Sequence, residues 1–159
     1  MERCAGRGLD RVLEEAALDQ AAADEARDRF RRDGIAPLRP DDRIDHLLTQ
    51  GEDLIAVHRA ALVDPRESSF GPALAGRKTL AGDLCITSRR VLVTASPDCR
   101  LSLAFDLEAV EDGVIAGDRL LLVLGGGQGL ALRVAQPRLL WAEIAAARSA
   151  ARAGNATTR

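Results

Sequence analysis

Aromatic residues are scarce: three Phe, one Trp and no Tyr among 159 residues. That scarcity removes the stacking platforms on which single-strand nucleic-acid binders and many sugar binders depend. Positive charge is not in excess either. Lys+Arg is 22 against 24 Asp+Glu, a formal net charge of -2, so a partner held through phosphate neutralisation is not expected. The three cysteines, Cys4, Cys85 and Cys99, are odd in number and far apart. No CxxC pair exists, which excludes a zinc ribbon and a thioredoxin-type motif, and no metal or other cofactor is expected. Cys85 falls in an apolar, strand-like run, where a thiol acts as a small hydrophobe. A Cys85–Cys99 disulfide across neighbouring strands is the lesser alternative, since nothing else points to an oxidising compartment. No apolar stretch of signal-peptide length follows Met1. The longest strongly apolar run, Leu120 to Leu124, is far too short to cross a bilayer. A cytoplasmic protein without a transmembrane segment is the expectation.

What is present is apolar mass. Hydrophobic residues make up 47% and charged residues 29%, enough for the core of one domain plus an appendage, and full-length disorder is excluded. Charge is uneven: residues 1–53 carry 9 basic and 14 acidic side chains, and residues 136–159 carry 4 and 1. Periodicity predicts an amphipathic helix over about residues 9–32, with Leu9, Val12, Leu13, Ala16, Ala17 and Phe30 on one face and Asp19 among the polar remainder. Asp33-Gly34 stops it, and a two-proline connector, residues 35–40, follows. A second short helix is predicted from Asp41 or Asp42 through Ile44, Leu47 and Leu48 to Gly51.

From Asp53 the period becomes that of strands. Extended segments are predicted at residues 54–63, 83–87, 91–95, 101–103, 110–116, 120–124 and 130–134, with a long loop over 65–81 that has room for a broken strand near Phe70. Gly117-Asp118 suits a hairpin turn. Gly125-Gly126-Gly127-Gln128-Gly129 leads into a strand, so it reads as a hairpin loop and not as a phosphate cradle, which needs a helix to follow. Pro137 opens a last helix, with Leu140, Trp141, Ile144, Ala147 and Ala151 as one stripe down to about Arg152. No helix lies between the strands to make parallel crossovers. An α+β fold remains: a small antiparallel barrel or sandwich of about seven strands, expected as a closed ribbon capped by the C-terminal helix.

Two stretches, Gly51-Glu52-Asp53-Leu54-Ile55-Ala56-Val57 and Gly82-Asp83-Leu84-Cys85-Ile86-Thr87-Ser88-Arg89-Arg90-Val91-Leu92, resemble bacterial PH-like and GRAM-type domains. Those domains open on a Gly-Glu before the first strand and carry a G-x-L-x-x-T-x-x-R hairpin; a closing helix with an inward Trp, here Trp141, is similar too. The resemblance covers about residues 43–152. It implies a seven-stranded barrel plugged by a helix, serving as a binding or assembly module without catalysis. Some relatives bind acidic phospholipids, and others bind proteins or self-associate. The chain departs from the lipid-binding pattern in its first long loop, whose cations are only Arg66, Arg77 and Lys78. The chain divides accordingly into residues 1–40 (helix and connector), 41–152 (the PH/GRAM-like barrel with its helix) and 153–159 (a flexible tail).

Candidate sites are few. Arg77, Lys78, Arg89 and Arg90 would form an anion site for a lipid phosphate or an acidic peptide if they converge at one barrel mouth. The competing reading leaves Arg89 and Arg90 solvating a hairpin turn, with Arg90 in an internal salt bridge. Leu9, Leu13, Ala17 and Phe30 are the candidate partner-binding residues of the first helix, for a protein partner or a second copy; the competing reading packs that helix on its own barrel. His58, with Ser88 or Asp83, could be drawn as a hydrolase triad. No G-x-S-x-G elbow supports it, and no catalytic residue is assigned. The reading is a non-enzymatic cytoplasmic interaction module for a protein partner or self-association. An acidic-phospholipid module is the alternative, and a small hydrolase or transferase a distant third.

Overall fold

The computed structural model describes residues 3–63, 79–95 and 100–158, without the side chains of 3–7, 63, 79, 80 and 102. The elements are α1 (Arg3–Asp33), α2 (Asp42–Asp45), β1 (Leu54–Val63), β2 (Thr79–Thr87), β3 (Arg90–Ala95), β4 (Arg100–Asp106), β5 (Val110–Ala116), β6 (Arg119–Leu124), β7 (Gln128–Val134) and α3 (Pro137–Thr157), with a 3-10 turn, Leu107–Ala109, between β4 and β5. The predicted broken strand near Phe70 lies outside the described residues. β2 begins four residues before its predicted start, because Thr79–Gly82 pair with Ala60–Val63 of the long β1. α3 runs beyond Arg152 to Thr157, although Gly154, Asn155 and Thr157 are poor helix formers, and Thr157 Oγ1 donates back to the Ala153 carbonyl.

The seven strands seen among the described residues form one sheet in the order β4-β3-β2-β1-β7-β6-β5. Every pairing is antiparallel. The expected closure is not there: the order ends on β4 and β5, which are joined by the 3-10 turn and share no ladder among the described residues. The sheet nevertheless wraps one interior. Leu62, Leu84, Val93, Leu103, Val110, Leu122 and Leu132, one from each strand, belong to a single buried cluster with Leu140, Ile144 and Ala147 of α3. Strand alternation puts these side chains on the concave face, and α3 fills what seven short strands alone would leave wet. Burying Leu140 and Ile144 completely contributes roughly 1.5–3 kcal/mol each.

Trp141 lies on the flank of that helix, against β5. A Cβ on Gly113 would come within 2.6 Å of the indole ring, so the absent side chain is what lets the ring lie on the strand. Gly82 likewise admits β3: a Cβ there would fall 1.6 Å from the Thr94 carbonyl oxygen. A second, smaller core sits on the outer face, where Ile44 of α2 covers Leu54, Cys85 and Leu92. Cys85 is fully buried there as an apolar thiol; Cys99 lies outside the described residues. The connector is tied in by backbone pairing, the Leu38 amide donating to the Leu54 carbonyl at 2.7 Å.

Candidate functional site

The G-E and T-x-x-R residues meet at the start of β1. The Thr87 hydroxyl accepts the turn amides of Arg89 and Arg90 at 3.1 and 2.8 Å and donates to Glu52 Oε1 at 2.5 Å. Arg90 donates through Nε to Oε1 at 3.0 Å and through Nη2 to Oε2 at 2.7 Å, a two-pronged grip on one carboxylate. Thr49 adds its amide and hydroxyl to Oε2, both at 2.8 Å, and Arg90 Nη2 also reaches the Leu47 carbonyl at 3.0 Å. The Glu52 side chain is 0% exposed and that of Arg90 22%. Burial pushes the Glu52 carboxyl up, but the bonds from Arg90, Thr87 and Thr49 outweigh it and hold the group at about 2. The motif therefore builds a structural joint between the β1 entry and the β2–β3 turn.

Of the four cations of the expected anion site, Arg89 and Arg90 are among the described residues. Arg90 is taken up by Glu52 inside the fold. Arg89 stays exposed, its guanidinium beside Gly51. Arg77 and Lys78 lie outside the described residues. The turn bearing Arg89 stands at the end of β2 remote from Thr79, about 26 Å along the strand.

Arg89 borders a groove of about 550 Å³ that sequence reasoning missed. One wall is the C-terminal half of α3, presenting Ala147, Ala150 and Ala151; the connector supplies Ile35 and Pro37, and β1 supplies Ile55. Asp53, Ser88, Asp106 and Glu108 complete the rim with Arg89. The rim is braced by backbone: Ser88 Oγ accepts the Asp53 amide at 3.0 Å, and the Leu107 amide donates to the Arg89 carbonyl at 2.9 Å. No periodicity reveals such a site, because its residues come from five separate segments.

α1 packs along α3 by an alanine stripe. Ala23 and Ala26 are buried at 0% and 3%, and Asp19, within the same stripe, at 2%. The Asp19 carboxylate accepts the amides of Arg138 at 2.9 Å and Leu139 at 3.1 Å, while Gln136, the residue before α3, makes no side-chain cap. The spacing 16, 19, 23, 26, 30 contained this signal, since it sets one acid inside an apolar face. Of the four residues singled out on α1, Leu9, Leu13 and Ala17 are exposed, and Phe30 is half-buried with the Arg29 guanidinium 5.2 Å from its ring centre. The stripe outruns its partner: Leu9 and Leu13, 61% and 59% exposed, continue the face that further along meets α3.

His58 is not placed for a triad. Its Nε2 pairs with Glu143 Oε2 of α3, both side chains largely buried, while Ser88 bonds Asp53 and Asp83 lies 3.6 Å from Arg59. Among the described residues no group of three or more His, Cys, Asp and Glu side chains is placed to hold a metal ion. No helix among them is long and apolar enough to cross a membrane.

No family model matches the chain, and no curated protein matches it. Solved structures to which it is similar include the Vps36 N-terminal PH domain, at 15% identity over 70% of this chain and 86% of that one, with a TM-score of 0.45. Another comes from the complex of human RhoA with the DH/PH fragment of PDZRHOGEF, at 16% identity and a TM-score of 0.48, covering 69% of this chain and 32% of that one. A third is the C-terminal domain of an unknown protein from Leishmania infantum, at 13% identity over 57% and 76% of the two chains, with a TM-score of 0.43. The likeness is one of general chain path.

Proposed function

We propose that the chain is a non-enzymatic, cytoplasmic interaction module that docks a segment of a protein partner in the groove beside α3. The observation that carries this reading is the groove's lining. An apolar floor of Ile35, Pro37, Ile55 and the α3 alanines is open to solvent along one side and rimmed by charge, the form of surface on which an extended or helical segment settles. The rim carboxylates Asp53, Asp106 and Glu108 disfavour an acidic phospholipid at the same place. In this reading residues 41–152 are the module, and α1 with its connector (1–40) braces α3 and lends Ile35 and Pro37 to the groove.

The test uses Ala150, an exposed α3 residue on the groove wall. Random dodecapeptides displayed on phage are selected on the immobilised chain, then tested against an Ala150→Trp variant whose melting temperature matches the parent. Clones that lose binding to the variant support the reading. Clones that bind both proteins equally, or no clone above background, overturn it. Co-sedimentation with phosphatidylserine vesicles that is lost on Arg89→Ser overturns it in favour of the lipid module.

A further inference from the structure

We infer that the segment taken by the groove is cationic: an Arg or Lys side chain flanked by apolar residues. The inference rests on the groove being the docking site, and it adds the chemistry of the occupant.

The lining carries three carboxylates, Asp53, Asp106 and Glu108, and one guanidinium, Arg89. None of the three carboxylates is in an ion pair among the described residues, and those of Asp53 and Asp106 accept no hydrogen bond there. Glu108 accepts one bond, from Asn155 Nδ2 at 2.5 Å, and keeps its other oxygen. The nearby cations do not cancel this charge. Arg90 is neutralised by Glu52, although Asp106 adds to the field that keeps it protonated. Arg148 points its Nη1 to the carbonyls of Val110 and Glu111. Arg152 lines a second depression together with Glu108 and Asn155, without forming an ion pair with Glu108. Arg89 stands at the Gly51 end of the rim.

Carboxylates set against an apolar wall act at a lower effective dielectric than those in open water, so they attract a cation and repel an anion more strongly. The floor suits the rest of such a side chain. Alanines at 147, 150 and 151 leave room beside the helix, where the methylene stem of Arg or Lys lies along apolar surface while its head reaches the rim. Leu or Val on either side then meets Ile35, Pro37 and Ile55. Arg89 serves the opposite end, as the one group able to receive a carboxylate or a chain carbonyl.

Three acetylated, amidated pentapeptides serve as probes against the full 15N-labelled chain: Leu-Arg-Leu-Arg-Leu, Leu-Gln-Leu-Gln-Leu and Leu-Glu-Leu-Glu-Leu. The Arg peptide is expected to move the amide signals of Ser88, Asp106 and Ala150 and to bind at least tenfold tighter than the Gln peptide, while the Glu peptide moves nothing. Raising salt from 50 to 500 mM removes most of that advantage, and so does an Asp106→Asn, Glu108→Gln double variant of unchanged melting temperature. Equal binding of the Arg and Gln peptides, or preference for the Glu peptide, overturns the cationic assignment and leaves the groove as a docking site. Silence of the groove amides towards all three overturns both.

Discussion

The carboxylate of Asp19 caps the first turn of α3, accepting the amide of Arg138, 119 residues further along the chain. Two amides that no residue of α3 itself satisfies are met from α1, and the negative charge sits at the positive end of the α3 dipole. Asp19→Ala is expected to lower global stability by about 1–2 kcal/mol, and Asp19→Asn by less, because the amide oxygen still accepts. Urea denaturation gives the totals. Hydrogen exchange at Arg138 and Leu139 locates the loss; protection unchanged there in Asp19→Ala would refute the cap.

Gly113→Ala is expected to displace Trp141. The added methyl meets the indole at 2.6 Å, and overpacking of this kind costs about 1–3 kcal/mol. Trp141 is the only tryptophan, so its fluorescence reports on this contact alone. A red-shifted emission in the folded variant is the expected signature, and an unshifted spectrum at parental stability is the contrary one.

Glu52 sets an acid limit. Its folded carboxyl titrates at about 2 against 4.5 unfolded, so its stabilising effect is complete above about pH 4.5 and is lost as the pH falls towards 2. A shift of this size corresponds to roughly 3 kcal/mol. Glu52→Gln, which leaves the Arg90 guanidinium without its counter-charge, is expected to cost about 3 kcal/mol at pH 7. The gap between parent and variant narrows steadily below pH 4.5. A gap independent of pH would show that the charge of Glu52 is immaterial.

His58 and Glu143 tie β1 to α3 through side chains of 12% and 11% exposure. Removing one partner strands the other in an apolar setting, whereas removing both does not. In a double-mutant cycle, His58→Leu and Glu143→Leu are each expected to cost about 2 kcal/mol, and the pair together clearly less than their sum. Strict additivity would mean the two do not interact.

Substituting Leu9 and Leu13 by Gln is expected to leave the melting temperature of dilute protein within about 1 °C, since exposed changes seldom exceed ~0.5 kcal/mol. Ala23→Leu, in the packed half of the same stripe, is expected to lower it by several degrees. Equal effects in the two halves would contradict the overhang.

Where the period was strong, the sequence told the fold. Leu120-Leu121-Leu122-Val123-Leu124 beside Gly117-Asp118 reads as one arm of a hairpin, and the spacing of Leu140, Ile144 and Ala147 marks the sealing face of α3. Closure was not legible, because nothing local records whether the last residues of β4 find those of β5. The motif residues were visible as a pattern, yet Glu52 and Arg90 carry no mark telling a structural joint from a binding cation. That follows from burial, which pairing across 38 residues creates. Asp19 reads as solvated from sequence, because an acid in an alanine stripe looks like the polar edge until the helix it caps is in place. The groove escaped altogether, since Asp53, Arg89, Asp106 and Ala150 are neighbours only after the sheet has folded over.

The seam between β4 and β5 has a mechanical consequence. Where two strand edges would ordinarily be stitched by peptide groups, the side-chain hydrogen bonds to the β5 backbone from α3 come from the Arg148 guanidinium, on the Val110 and Glu111 carbonyls. A fastening of that kind releases without unzipping a ladder, so amide exchange at this seam is expected to be faster than within the β1–β2 ladder. The exposed acids Glu111 and Asp112 then discourage a stranger's strand from entering the gap.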